Sequence, residues 1–388
     1  MRDEQAPAAT KFRLPGLDGL RAIAAIAVLF YHLMPQYVSG GFTGVDVFFV
    51  LSGFLITALL IHQKDKTDSL QVGHFWLKRI RRLFPAVTAT TVIMIPVAAL
   101  VSTDLLVGIR RQFAGSLTFT YNWVQIAHGT SYFETQTPEL LRNMWSLAVE
   151  QQFYIFWPLL LALVLMLPYR WRTFGPAILA SASIAEMVIL SQTGADVSRI
   201  YEGSDTHIFG LMLGAMIALS APHPMRALTV RERLGQDPRH ILIRGWAAWA
   251  GLLLVVLCFF VVDDAAAWTY PWGLLVCSLG CVLFIQGMLD TVSGVPGPGR
   301  MLAQILELKP LVWLGERSYS IYLWHWPILV VLRMAFPQLT VCWMALAVFT
   351  LTLIAATLSY HFVEIPMRYQ GIWATLKAWF GVTGRRSA

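Results

Sequence analysis

Arg21 and His32 stand eleven residues apart in a single apolar run, LDGLRAIAAIAVLFYHL. Eleven residues turn an α-helix through about 1,100°, so both side chains fall within ~20° of one face, ~16 Å apart along the axis. A neutral imidazole, with a reference pKa of about 6.5, can take a proton from a reacting hydroxyl in the transition state. A guanidinium at the other end of the same stripe suits an anion. The plainer reading pairs Arg21 with Asp18, three residues back, and leaves His32 at a membrane interface.

Further residues of this kind follow in order. Asp46 and Gly53 share a face of the next apolar run, GGFTGVDVFFVLSGFLI, so a carboxylate and a close-approach glycine point the same way; Asp46 can equally be a helix cap. His74 to Pro85 holds Lys78, Arg79, Arg81 and Arg82, four cations in five residues. Such a run is either a lipid-headgroup anchor or a dock for a phosphate ester, which arginine forks bind bidentately. Ser146, Glu150 and Tyr154 recur every four residues as a polar seam on an apolar helix, which suits a catalytic carboxylate or a structural one. In Gly315–Pro327, Ser318, Tyr322 and His325 lie between aromatics, where core packing competes with a role as ligand or base. No G-x-S-x-G elbow and no G-x-x-x-x-G-K-[ST] loop occurs, which argues against serine hydrolase chemistry and ATP-driven work.

The elements that must position these groups are membrane helices. The 388 residues are 57% hydrophobic and only 13% charged, with mean hydropathy +0.60, against roughly a quarter charged in soluble chains. Soluble enzymes, disordered chains and nucleic-acid-binding modules fit poorly. Apolar stretches long enough to span hydrocarbon are expected at 16–34, 42–62, 84–103, 143–167, 176–191, 207–220, 245–262, 272–290, 310–333 and 340–363. They predict an all-α polytopic bundle of about ten transmembrane helices. The first is read as a span rather than a cleaved signal, because Arg21 sits inside it and every later segment is itself membranous. All but Arg110, Arg111, Arg142, Arg199 and Arg333 of the 29 Lys and Arg then fall on the side of the termini, which predicts both termini cytoplasmic. An outer loop, 104–142, is expected to carry an interfacial helix near 105–120, and residues 221–244 a basic inner loop. The four cysteines lie in apolar runs and read as small core hydrophobes, and no metal site is expected.

These segments, in this order, resemble the membrane acyltransferase-3 family. The resemblance rests on Arg21 and His32, then GGFTGVDVFFVLSGFLIT, KRIRRLFPA, Tyr121-Asn122-Trp123, WSLAVEQQFYIFWP, SYSIYLWHWPIL and VEIPMR, and covers most of the chain. It implies an O-acyltransferase that moves an acyl group, usually acetyl, from cytoplasmic acyl-CoA to a sugar hydroxyl. By position, His32 and Arg21 correspond to the family's essential pair, and Arg79 with Arg81 to its donor-binding motif; Arg79, Arg81 and Arg82 are expected to dock the CoA phosphates, with Arg21 also binding the donor. Glu150 takes the first acidic place of the WSL segment, and Gln151 stands where a second acid is often found. On this reading His32 is the base and Asp46 or Glu150 orients it. Asn122, Trp145, Tyr154, Ser318, Tyr322 and His325 are candidate acceptor or oxyanion contacts. Acyl-CoA is a co-substrate, no cofactor is held permanently, and no nucleic acid is involved. The expected organisation is a cytoplasmic tail at 1–15, one transmembrane acyltransferase domain at 16–366 and a cytoplasmic tail at 367–388, in the cytoplasmic membrane of a bacterium. Relatives that modify surface glycans often carry a further hydrolase-like domain, and this sequence ends at Ala388. That tilts the expected acceptor towards a glycosylated small molecule of macrolide type, with a surface polysaccharide or lipid-linked glycan as the alternative. A small-molecule transporter is the rival from another class.

Overall fold

The computed structural model describes residues 14–129, 139–221, 238–289, 296–372 and 374–375. Those residues form helices joined by short connections, with no β-strand among them. Ten helices run along the bundle: α1 Leu17–Leu33, α2 Gly44–Thr67, α3 Val72–Val101, α4 Met144–Met166, α5 Phe174–Gln192, α6 Phe209–Ser220, α7 Pro238–Val261, α8 Trp272–Leu289, α9 Ser318–Ala335 and α10 Val341–Ser359.

Seven of them are long and apolar enough to cross a membrane, α1, α6 and α9 being shorter or more polar. Of these, α1 carries Arg21 and His32 and α9 carries His325; α9 is buried almost without a break from Ser318 to Val331. The division is physical. Helices facing lipid must be apolar outside, whereas ionisable groups are tolerated where protein surrounds them. The fold is that of a polytopic helical membrane protein.

Small residues set the closest approach. A Cβ on Gly53 would lie 1.9 Å from the Leu211 carbonyl oxygen, and one on Gly214 would lie 2.0 Å from that of Val50. Glycine at both positions lets α2 and α6 meet backbone to backbone, the usual device where lipid supplies no hydrophobic drive between helices.

Two expected spans need correction. The third begins at Val72, not near residue 84, and its 30 residues make a rod of about 45 Å, longer than the ~30 Å hydrocarbon layer. The basic run is therefore part of the helix, which extends beyond the bilayer at its cationic end. The ninth is divided into Lys309–Glu316 and α9, with the break at Arg317. The Arg317 guanidinium packs over Trp313 and Tyr360 at 4.3 and 4.5 Å and donates to the Trp313 carbonyl, which holds the chain in the bend. The sixth is a broken helix, with Ser204–His207 preceding α6. The outer loop does carry helices, Ile109–Thr118 and Tyr121–His128. Most of the expected basic inner loop lies outside the described residues, but α7 already starts at Pro238. After α10 the chain makes a π turn, Tyr360–Glu364, which leads into Ile365–Tyr369.

Candidate active site

A cavity opens among α1, α2, α3, α4 and α9, with about 800 Å³ of space including its mouth. Arg21, Arg79 and Arg82 line it together with a single carboxylate, Glu150. Arg79 and Arg82 share a face of α3 because they are three residues apart. Arg81 is turned away from this lining and lies beside Gly371. The Arg79 guanidinium sits 5.4 Å over each of the Phe75 and Tyr154 rings, which fixes it against the wall.

Higher in the cavity the polar seam of α4 meets α2 and α9. Glu150 accepts from the Ser52 and Tyr154 hydroxyls. The Ser146 hydroxyl lies 2.6 Å from that of Tyr322, which also donates to the Asn143 carbonyl at 2.9 Å. Tyr319 donates to the Leu83 carbonyl at 3.0 Å, tying α9 to α3. Ser318 also lines the cavity. Its hydroxyl is buried and has no protein partner, so it is a donor left over for a ligand.

One helical turn beyond Tyr322 lies His325. Its Nδ1 is 2.7 Å from the Tyr322 carbonyl and 3.2 Å from that of Ile321. Its Nε2 is 3.2 Å from Nδ1 of His32. Trp326 packs edge-on against His32 with ring centroids 4.8 Å apart, and Arg333 donates to the His32 carbonyl at 2.9 Å. His32 is half-buried and does not line the cavity. The cavity thus ends just below a pair of imidazoles.

The two carboxylates expected to orient His32 are engaged elsewhere. Asp46 is fully buried with Oδ1 2.9 Å from Nε2 of His207, whose Nδ1 lies 2.6 Å from the Tyr201 carbonyl. Glu150 is in the cavity, bonded to Ser52 and Tyr154. Trp145 packs on Tyr201 and stacks on His207, outside the cavity lining. Asn122 ties the outer helix to the short segment before α6 by donating to the Glu202 carbonyl and to Ser204. The structure therefore brings Arg21, Arg79, Arg82, Glu150, Tyr154, Ser318 and Tyr322 together, sets His32 with His325 just beyond, and leaves Arg81, Asp46, Asn122 and Trp145 outside.

Three participants escaped sequence reasoning. Ser52 and Tyr319 are hydroxyls inside apolar helices, each one polar position among many. His207 had a clearer signal as the ionisable group at the start of a span without others, the kind of residue that is costly in a membrane. Among the described residues no group of three or more His, Cys, Asp or Glu is placed to hold a metal ion.

The sequence profile of the Acyl_transf_3 family, described as an acyltransferase domain, matches residues 14–361. The chain belongs to the acyltransferase-3 family. Its similar proteins include the peptidoglycan O-acetyltransferase OatA of Listeria monocytogenes, 38% identical over 92% of this chain and 56% of that protein. YrhL of Bacillus subtilis (strain 168), provisionally named a peptidoglycan O-acetyltransferase, is 38% identical over 92% of this chain and 55% of its own length. A Staphylococcus aureus (strain COL) protein, provisionally named an O-acetyltransferase, is 34% identical over 92% and 58%. The acyltransferase-3 chain described above thus spans little more than half the length of these relatives. No solved structure matches it.

Proposed function

We propose that the protein is a membrane O-acyltransferase that accepts an acyl group, acetyl in the first instance, from acyl-CoA at its arginine-lined mouth and passes it to a sugar hydroxyl at His32. The observation that carries this reading is the cavity itself. It begins with three guanidiniums against one carboxylate and ends below the His32–His325 pair. Arginine forks match phosphate oxygens, and the mouth has the excess of positive charge that a CoA head requires. Arg21 and His32 are ~16 Å apart along α1, so an extended arm held at the arginines has room to carry its thioester towards the imidazoles.

The chemistry then follows from the side chains. The acceptor oxygen attacks the thioester carbonyl carbon while His32 takes the hydroxyl proton. A C–O bond forms, and the tetrahedral oxyanion needs donors placed where its charge develops. The Ser146 hydroxyl at the upper end of the cavity would supply one by turning from Tyr322, whose own hydrogen is given to the Asn143 carbonyl. Collapse breaks the C–S bond, and the thiolate takes the proton back from His32. Glu150, with Ser52 and Tyr154, gives the seam a fixed shape around the passing arm.

For the acceptor, relatives named for peptidoglycan favour the sugar-polymer alternative over the macrolide-type molecule. A bacterial cytoplasmic membrane is the matching location, with the arginine mouth facing the cytoplasm by the positive-inside rule. The test is CoA thiol release by purified protein with acetyl-CoA and N-acetylglucosamine–N-acetylmuramic acid oligosaccharides. Release that depends on oligosaccharide, His32 and Arg79 supports the reading. Tight substrate flux with no thiol release would support transport instead.

A further inference from the structure

The sequence led to the expectation that a carboxylate orients the catalytic imidazole, yet Asp46 is paired with His207, and Glu150 with Ser52 and Tyr154. The group that does meet His32 through a ring nitrogen is His325. Its own protonation is fixed by what surrounds it. Nδ1 of His325 faces the Tyr322 and Ile321 carbonyls at 2.7 and 3.2 Å. Carbonyl oxygens only accept, so Nδ1 carries the hydrogen. In the neutral ring Nε2 is then the lone-pair nitrogen, and it lies 3.2 Å from Nδ1 of His32. For that contact to be a hydrogen bond, His32 must carry its hydrogen on Nδ1. The Val28 carbonyl, one turn back on α1, also accepts from the His32 ring. This is the same i−4 relation that Nδ1 of His325 makes to Ile321 and Nδ1 of His128 makes to Val124.

We infer that His325 is a positioning residue that does for His32 what a carboxylate does in a Ser-His-Asp triad: it accepts from Nδ1–H beside the Val28 carbonyl, holds the ring in place and leaves Nε2 as the base. This inference rests on the reading of His32 as the base in acyl transfer. The charged side chains placed near this pair, Arg142 over the Trp326 ring at 5.6 Å and Arg333 on the His32 carbonyl at 2.9 Å, are both cationic. Relief of positive charge at the moment of proton transfer therefore comes from the second imidazole. When His32 Nε2 takes the acceptor's proton, the Nδ1 proton shifts towards His325 Nε2 and the charge spreads over two rings. When the C–S bond breaks, that proton returns to His32 Nδ1 and the Nε2 proton goes to the thiolate sulfur. His325 is 1% exposed, packed against Tyr322 and His32 with ring centroids 5.4 and 5.2 Å apart, so its ring has little freedom to adopt another bond.

The experiment has two arms. Turnover of acetyl-CoA with the oligosaccharide acceptor is compared for wild type, His325→Ala, His325→Gln, His32→Ala and the His32→Ala/His325→Ala double variant. Folding is checked by size-exclusion profile and CoA affinity. A triad-orienting group contributes on the order of 10²–10⁴ in kcat, so His325→Ala is expected to lose at least about 100-fold in kcat with donor KM nearly unchanged. His325→Gln, whose amide oxygen can accept from His32, is expected to recover at least about tenfold of that loss. The double variant is expected to match His32→Ala alone, as groups acting as a unit do. A His325→Ala kcat within threefold of wild type, or losses that multiply in the double variant, would overturn the inference. The second arm needs no turnover: solid-state ¹⁵N NMR of histidine-labelled protein, with the His32 signal found by difference from His32→Ala, should show Nδ1–H in wild type, and its Nδ1 resonance should shift in His325→Ala as the imidazole acceptor is lost. An Nε2–H tautomer for His32 in wild type would overturn the inference outright. Absent turnover with the Nδ1–H tautomer intact would instead sink the acyl-transfer reading and leave the imidazole pair standing.

Discussion

Replacing the arginines of the basic run one at a time separates a docking site from a membrane anchor. Arg79 and Arg82 line the cavity, whereas Arg81, between them in sequence, lies beside Gly371. An anchor depends on total charge and is indifferent to which cation is lost. A phosphate site depends on the two that face inward. A hydrogen bond to a charged group contributes about 1.5–3 kcal/mol, which corresponds to a weakening of about 10–150-fold in Kd when it is removed. Arg79 belongs near the upper end, because the Phe75 and Tyr154 rings already hold its guanidinium and little freedom is left to lose. Arg79→Ala and Arg82→Ala should therefore weaken CoA binding by about 10–150-fold, while Arg81→Ala stays within about twofold, in the range of ordinary surface changes. Arg79→Lys should recover only part of the loss, since a point charge replaces a planar fork. Calorimetric titration of CoA into purified protein gives Kd, and thiol-release kinetics give donor KM in parallel. Equal losses for Arg81→Ala and Arg79→Ala, or full CoA affinity in an Arg79→Ala/Arg82→Ala double variant, would refute the reasoning.

Three further outcomes follow from packing and charge. Gly214→Val puts a Cβ about 2.0 Å from the Val50 carbonyl oxygen; α2 and α6 must move apart, and thermal unfolding followed by size-exclusion should show a loss of about 1–3 kcal/mol or more. His207→Ala leaves the buried Asp46 carboxyl without its partner, at a cost of about 3–5 kcal/mol, whereas replacing both residues by leucine should recover much of it; similar thermal stability of the single and double variants would contradict this. Asp264 lies in the outer loop after α7, where burial raises its carboxyl above the ordinary range and the Tyr31 hydroxyl donates to it. A raised carboxyl means the folded chain binds the proton more tightly than the unfolded one. Its contribution is therefore full below the ordinary carboxylate range and lost as pH rises through the raised value; Asp264→Asn should flatten that part of a pH–stability curve.

Much of this molecule was legible in its sequence, and the limits have physical causes. Helix α4 was anticipated to within a residue at each end, because a long apolar run bounded by polar residues leaves little choice in a bilayer. The α4 seam was also readable, since Ser146, Glu150 and Tyr154 lie on one face by helix geometry alone. The inward pair on α3 was not, because choosing Arg82 over Arg81 requires knowing which way the helix is rotated against its neighbours. Partners across the bundle were beyond reach for the same reason. His32 and His325 are separated by 293 positions and Asp46 and His207 by 161. No local spacing indicates that Asp46, the first acid after His32, turns to another histidine. The division of the ninth span at Arg317 depends on two aromatic rings, Trp313 and Tyr360, one of which arrives from α10's end.

The most direct test of the central claim is acceptor-dependent release of CoA thiol from acetyl-CoA by the purified protein in detergent, measured beside His32→Ala. Release should require both the glycan oligosaccharide and His32, with the ester recovered on the sugar by mass spectrometry. Folded wild-type protein that binds no CoA, or that releases thiol equally well with alanine at position 32, would contradict it.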